Sequence, residues 1–278
     1  MTSVRDSFRF AIFGAVAATA IMTSPAAKAA DASPWSDDIR SSIRLISGGM
    51  QGGALRAGVE IKLQPGWKTY WRYPGDSGVP PSFSFAGSEN LASAEVLFPA
   101  PVSLTDESGT SIGYKGDTIF PVRLTPRDPA KPVKLKAQVD YAVCEKLCVP
   151  AKGSAELAIG KTAAANAALA AAEARVPKRV APKEIELAAK RVTGKPKPLV
   201  YLDFAAPEGQ QVEVFVEGPG KEWALPIPKA AQGAPKGRRH FGFEFDGLPP
   251  GVDPMGKYDL TFTIVTPDRA FETTTRLD

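Results

Sequence analysis

From Ser41 to about Gly160 short apolar runs alternate with turn signals. Ala54 to Leu63 places Leu55, Val59, Ile61 and Leu63 on one face, after a break at Gly58. Lys68 to Tyr73 is aromatic and strand-like, with Thr69, Trp71 and Tyr73 sharing a face. The pattern predicts further strands over Ser82 to Phe85, Ala94 to Phe98, Phe120 to Leu124, Val133 to Val143 and Ser154 to Ile159. Pro and Gly punctuate the gaps, at Pro65-Gly66, Pro74-Gly75, Pro80-Pro81, Pro99, Pro101 and Pro126. Closely spaced short strands with such turns predict an antiparallel sandwich or barrel. Parallel βαβ units would need helical stretches between strands, and none is visible in this region.

Beyond Lys161 the pattern changes. Ala163 to Ala174 is alanine-rich and favours helix. Pro177 and Pro182 interrupt it, and Glu184 to Val192 is expected to form a second short helix. Gly194-Lys195-Pro196-Lys197-Pro198 reads as a stiff extended linker. Period-two alternation then returns, with Phe241, Phe243 and Phe245 on one face of one strand and Leu260, Phe262 and Ile264 on another. The expected organisation is all-β: a sandwich over residues 36–160, an Ala/Pro-rich helical linker over 161–198 and a smaller β domain over 199–278.

The amino terminus reads as a targeting segment. Arg5 and Arg9 precede an apolar run from Phe10 to Met22, and Ala27-Lys28-Ala29 supplies a cleavage pattern. This order predicts a secretory signal peptide over residues 1–29. The run is shorter than the roughly 18–20 residues of a spanning helix, so a soluble, exported, periplasmic protein without a transmembrane segment is expected. Charge excludes one partner class. The chain has 34 basic and 30 acidic side chains. Nucleic-acid binding needs clustered positive charge, and this balance does not provide it.

Candidate chemistry concentrates in Tyr141-Ala142-Val143-Cys144-Glu145-Lys146-Leu147-Cys148-Val149-Pro150. These are the only two cysteines, and His240 is the only histidine. A structural zinc site takes four ligands, and the usual nitrogen and sulfur donors here number at most three. His240, beside Arg238 and Arg239, reads as a surface residue. An exported protein with two nearby cysteines is expected to oxidise them. Pro150 is expected to stop the chain from continuing simply as a strand. Closing a loop of about five residues stabilises by about 2 kcal/mol, against about 4.7 kcal/mol for a 100-residue loop. Such a bond is a weak staple, and tight or exposed disulfides exchange readily. The pair is not of the thioredoxin type, which has two intervening residues at a helix start. Glu145 and Lys146 have opposing effects on a thiolate and do not settle its reactivity.

One run is distinctive: Gly66-Trp67-Lys68-Thr69-Tyr70-Trp71-Arg72-Tyr73-Pro74-Gly75-Asp76-Ser77-Gly78-Val79-Pro80-Pro81. Phe98-Pro99-Ala100-Pro101, Gly113-Tyr114, Phe120-Pro121-Val122 and Val143-Cys144 to Pro150 follow in order. Together they resemble the amino-terminal periplasmic domain of the thiol:disulfide reductase DsbD, nearest its ScsB-like (suppressor of copper sensitivity) branch, over about residues 40 to 160. The resemblance implies an immunoglobulin-like sandwich and a protein-disulfide reductase component. A membrane-embedded reductase would reduce the pair, and the pair would reduce thioredoxin-like periplasmic proteins. It also implies that Cys148 forms the mixed disulfide with partners and Cys144 resolves it.

The chain departs from DsbD in places. DsbD spaces its cysteines more widely than the three intervening residues here. Its cap loop bears a phenylalanine, whereas Asp106 to Gly113 has no aromatic residue. Ile112 or Tyr114 is the expected substitute. The membrane and thioredoxin-like domains of the full reductase are also missing, so a separate membrane partner is expected. Trp71 is expected to fill the core, and it could also wall the cysteines. No cofactor beyond the redox-active disulfide is implied. Two readings stay open beside the relay. One is Cu(I) held by the two soft thiolates of Cys144 and Cys148, with no third ligand nearby, since His240 and Met255 are distant in sequence. The other is a noncatalytic binding module with a structural disulfide.

Overall fold

A computed structural model describes residues 1, 31–75, 78–106, 109–163, 166–194, 196–206, 209–234 and 236–278. Residues 2–29 of the expected signal peptide lie outside the described residues, as do Asp76, Ser77 and Glu107.

The first part of the chain builds strands β1 (Ser36–Asp37), β2 (Ser41–Gln51), β3 (Ala54–Leu63), β4 (Lys68–Gly75), β5 (Ser82–Ser84) and β6 (Leu91–Val96). They continue as β7 (Val102–Asp106), β8 (Gly109–Lys115), β9 (Thr118–Pro126), β10 (Val133–Cys144) and β11 (Cys148–Ile159). One sheet runs β1-β2-β3-β9-β6 and the facing sheet β11-β10-β4-β8-β7, with β5 also on β10. Their pairings are antiparallel. Alternation decides what is buried. Val133, Leu135, Ala137, Val139, Tyr141 and Val143 of β10 enter the core, while Lys134, Lys136, Gln138 and Asp140 stay out of it. This is the immunoglobulin-like sandwich that the sequence leads one to expect.

Helix α1 (Ala167–Ala174) follows, and the Asn166 side chain caps it by accepting from the Leu169 N–H. The second expected helix does not form. A 3-10 turn over Pro182–Ile185 ends where Glu186 turns left-handed at φ 50°. Ala188–Val192 is a strand instead, because pairing with the chain that follows Pro198 outweighs weak helix propensity.

The remaining strands are β12 (Lys178–Arg179), β13 (Ala188–Val192), β14 (Leu199–Ala205), β15 (Glu213–Glu217), β16 (Lys229–Ala230), β17 (Arg238–Glu244), β18 (Tyr258–Val265) and β19 (Ala270–Leu277). They form two four-stranded sheets, β12-β19-β18-β15 and β13-β14-β17-β16. Between them lie Phe204, Trp223, Phe245, Phe262 and their neighbours. The two sandwiches touch through a shared core. Phe215 of β15 is fully buried among first-sandwich residues, 5.8 Å ring to ring from Trp71.

Candidate functional site: a cysteine pair at a hairpin end

Hairpin β10–β11 runs in continuous register from Val133 opposite Ile159 to Cys144 opposite Cys148. The cysteines are therefore cross-strand neighbours on the last rung, closed by the Glu145–Leu147 turn. Their Cα atoms are 4.2 Å apart and the sulfurs are bonded. Pro150 does not stop the strand as expected. β11 is the edge of its sheet, where a residue without an N–H is tolerated.

The two cysteines differ in exposure. Cys144 is 1% exposed, whereas Cys148 is an exposed residue and the neighbouring Leu147 is 78% exposed. Behind the pair stands Tyr70 of β4. Its hydroxyl lies 2.8 Å from Cys144 Sγ and 3.0 Å from Cys148 Sγ. A disulfide sulfur carries no hydrogen, so Tyr70 donates. Burial, and secondarily the Asp106 carboxylate, push the Tyr70 phenol above its ordinary pKa. The hydroxyl therefore keeps its proton at neutral pH.

Local sequence puts Tyr70 there. Thr69 pairs with Val143 and Lys68 with Cys144, and Thr69 Oγ1 donates to the buried Ala142 carbonyl at 2.9 Å. Two glycines make room. A Cβ on Gly113 would sit 2.1 Å from the Thr69 carbonyl oxygen, and one on Gly78 would sit 2.6 Å from Tyr70 Cδ1. Lys68, two residues before Tyr70, pairs with Asp106 at the end of β7. That contact ties the β7–β8 hairpin to the site.

The aromatic residues singled out in the sequence lie elsewhere. Trp71 and Tyr114 belong to the sandwich core, whereas Tyr70, Ala142 and Cys144 form a separate cluster. Tyr114 donates to the Pro99 carbonyl at 2.9 Å and meets Phe120 edge-on. Ile112 is also in the core. Strand alternation explains the placement: Thr69, Trp71 and Tyr73 point one way, which sends Tyr70 the other. That alternation was the available signal for Tyr70. His240 and Met255, distant from the cysteines in sequence, sit in the second sandwich. His240 Nδ1 lies 2.7 Å from Asp203, and its ring stacks on Tyr201. Among the described residues no group of three or more His, Cys, Asp or Glu is arranged to hold a metal ion, and no helix is long and apolar enough to cross a membrane.

Fold and site together define an immunoglobulin-like sandwich that carries a disulfide at a sheet edge. Residues 43–158 match the family described as "Thiol:disulfide interchange protein DsbD, N-terminal", and this segment is a DsbD N-terminal-like, thiol:disulfide exchange domain. In fold the chain is similar to the N-terminal periplasmic domain of ScsB from Proteus mirabilis, with a TM-score of 0.67 and 18% identity. That match covers 89% of this chain and 98% of the other. A conserved domain protein from Bacillus anthracis aligns over 90% of this chain and 88% of its own at 7% identity, but its TM-score of 0.23 carries no argument. No curated protein matches.

Proposed function

We propose that the protein is an exported, periplasmic electron relay: a membrane-embedded thiol reductase reduces the Cys144–Cys148 disulfide, and the dithiol then reduces thioredoxin-like proteins. The observation that carries this reading is the unequal exposure of the two cysteines, with the Tyr70 hydroxyl within hydrogen-bond reach of both sulfurs. An incoming thiolate reaches Cys148 Sγ. The S–S bond breaks, a mixed disulfide forms on Cys148, and Cys144 leaves as a thiolate. Tyr70 donates to that thiolate, a charge-assisted hydrogen bond stronger than the one it makes to the disulfide. A second donor thiolate then frees Cys148.

Delivery runs the same path backwards. The Cys148 thiolate attacks the partner's disulfide, and one partner sulfur leaves. Cys144 then attacks Cys148 Sγ, the internal disulfide reforms, and the partner departs as a dithiol carrying two electrons. The export pattern, the family match and the likeness to a periplasmic domain of ScsB support placing this exchange in the periplasm.

The test is trapping. Cys144→Ser cannot resolve the intermediate, so it should accumulate a mixed disulfide with a thioredoxin-like protein through Cys148. Cys148→Ser should accumulate none. Undiminished reduction of such a partner by Cys148→Ser, or no exchange of the wild-type pair in glutathione buffer, would rule the relay out.

A further inference from the structure

Strand β4 is held by its own sheet only in part. Lys68, Thr69 and Tyr70 pair with Lys115, Tyr114 and Gly113 of β8, but the next paired residue is Gly75, opposite Ser111. Residues 71–74 therefore lie against the single residue Ile112, an irregularity that takes this stretch out of the ladder. On the other side, β10 pairs only with Lys68 and Thr69. The backbone just after Tyr70 lacks the support that a regular strand has.

The second sandwich supplies it. Trp71 packs on Phe215. The Arg72 guanidinium lies over the Trp71 ring at 4.5 Å and donates to Glu217 of β15, from Nε at 2.9 Å and from Nη2 at 2.6 Å. Arg72 also pairs with Glu272 of β19, which in turn takes Arg179 at 3.0 Å. The Tyr73 hydroxyl accepts from the Leu225 N–H and donates to the Leu225 carbonyl at 3.3 Å. Three consecutive bulge residues are thus each gripped from the second sandwich. Burial opposes the Arg72 charge, but Glu217 and Glu272 more than offset it and hold the guanidinium charged.

We propose that the second sandwich sets the redox equilibrium of the cysteine pair by clamping the β4 bulge at residues 71–73, with Arg72 as the positioning residue that aims the Tyr70 hydroxyl at the sulfurs. Bulges beside reactive sites commonly re-aim a side chain, and a hydrogen bond weakens steeply with small errors of distance and angle. The inference rests on the relay reading, in which Tyr70 serves the leaving Cys144 thiolate.

The experiment uses the full chain and the glutathione equilibrium of the pair. Arg72→Gln should shift that equilibrium toward the disulfide by about three- to tenfold, the range expected of coupling through a packed network. Arg72→Lys, which keeps the charge, should recover part of the loss. Glu217→Gln, a milder change, should shift it the same way and serves if Arg72→Gln does not fold. In a Tyr70→Phe background neither change should shift the equilibrium further. Wild-type equilibria in folded Arg72→Gln and Glu217→Gln proteins would overturn the proposal, and so would an undiminished shift in the Tyr70→Phe background. If the clamp fails this test while Cys144→Ser still traps a partner, the relay stands without it. If no partner is trapped, the relay itself fails.

Discussion

The second sandwich closes its core with its own residues, from Leu187 to Leu277. The first borrows Phe215, with Ile227 and Val265 packed against the same cluster. Each also presents a tyrosine beside a polar partner: Tyr201 stacks on His240, which is bound to Asp203, and Tyr70 lies on the cysteine pair. The reactive partner belongs to the sandwich that does not complete its own core. The dependence runs mainly one way: the second sandwich lends residues to the core of the first.

The strongest way to break this comparison is to empty the shared position. Phe215→Ala removes a fully buried ring and should cost about 3–5 kcal/mol. The loss should appear in the first sandwich although the residue belongs to the second. Urea unfolding followed by amide exchange would locate it. Fast exchange along β10 and β11, with the second sandwich still protected, is the expected result. Full protection of β10 in Phe215→Ala would show that the first core stands alone.

A smaller change sharpens the comparison at the site itself. Tyr70→Phe keeps the ring and removes the donor. A hydrogen bond to a charged group contributes about 1.5–3 kcal/mol and an ordinary one about 0.5–1.5 kcal/mol. Only the difference counts, because the hydroxyl also serves the disulfide, so the dithiol should lose stability relative to the disulfide by about tenfold. That corresponds to a reduction potential lower by about 30 mV. The thiol pKa of the reduced pair should rise with it. The matching change, Tyr201→Phe, should leave both values untouched, because its stacking partner is a histidine in the other sandwich.

The clamp between the sandwiches should also weaken in acid. Burial raises the Glu272 carboxyl, but Arg72 and Arg179 prevail and hold it below its ordinary range. A carboxyl with a lowered folded pKa contributes stability at pH values above its unfolded pKa. It loses that contribution as pH falls through the lowered one. Wild type should therefore melt at a higher temperature than Glu272→Gln at neutral pH, and the two should converge as the pH falls below the ordinary carboxylate range. Melting curves that stay equally separated across that range would remove Glu272 from the clamp.

Much of this architecture was legible because period-two alternation is a direct consequence of strand geometry. β3, β10 and β17 each follow it, and the cysteine pair stood out by spacing alone. Other features depended on partners that local sequence does not reveal. Pro150 reads as a stop unless the strand is known to be an edge. Ala188–Val192 reads as helix until β14 is present to pair with it. The β7–β8 hairpin has few large apolar residues and gives no clear pattern. Tyr70 was missed for a different reason. A tryptophan beside it drew the functional reading, whereas the register of β4 against β10 decides which of the two meets the sulfurs. The union of the two cores joins Trp71 to Phe215 of a different sandwich, and no local pattern encodes it.

The finest test acts on the space around Tyr70. Gly78 follows the β4 bulge, and a Cβ there would lie 2.3 Å from Pro74 Cβ and 2.6 Å from Tyr70 Cδ1. Neither neighbour is the end of a flexible chain, so Gly78→Ala must move the ring or the turn. Turning an aromatic side chain off its preferred rotamer costs about 0.5–1.5 kcal/mol. A tilted ring carries its hydroxyl away from Cys144 Sγ, so the glutathione equilibrium should move toward the disulfide by about threefold, less than in Tyr70→Phe. The shift should vanish when Gly78→Ala is combined with Tyr70→Phe, because no hydroxyl remains to be misplaced. If it persists, Gly78 acts through the backbone of β4 instead, and the clamp of the second sandwich on that strand becomes the route to examine.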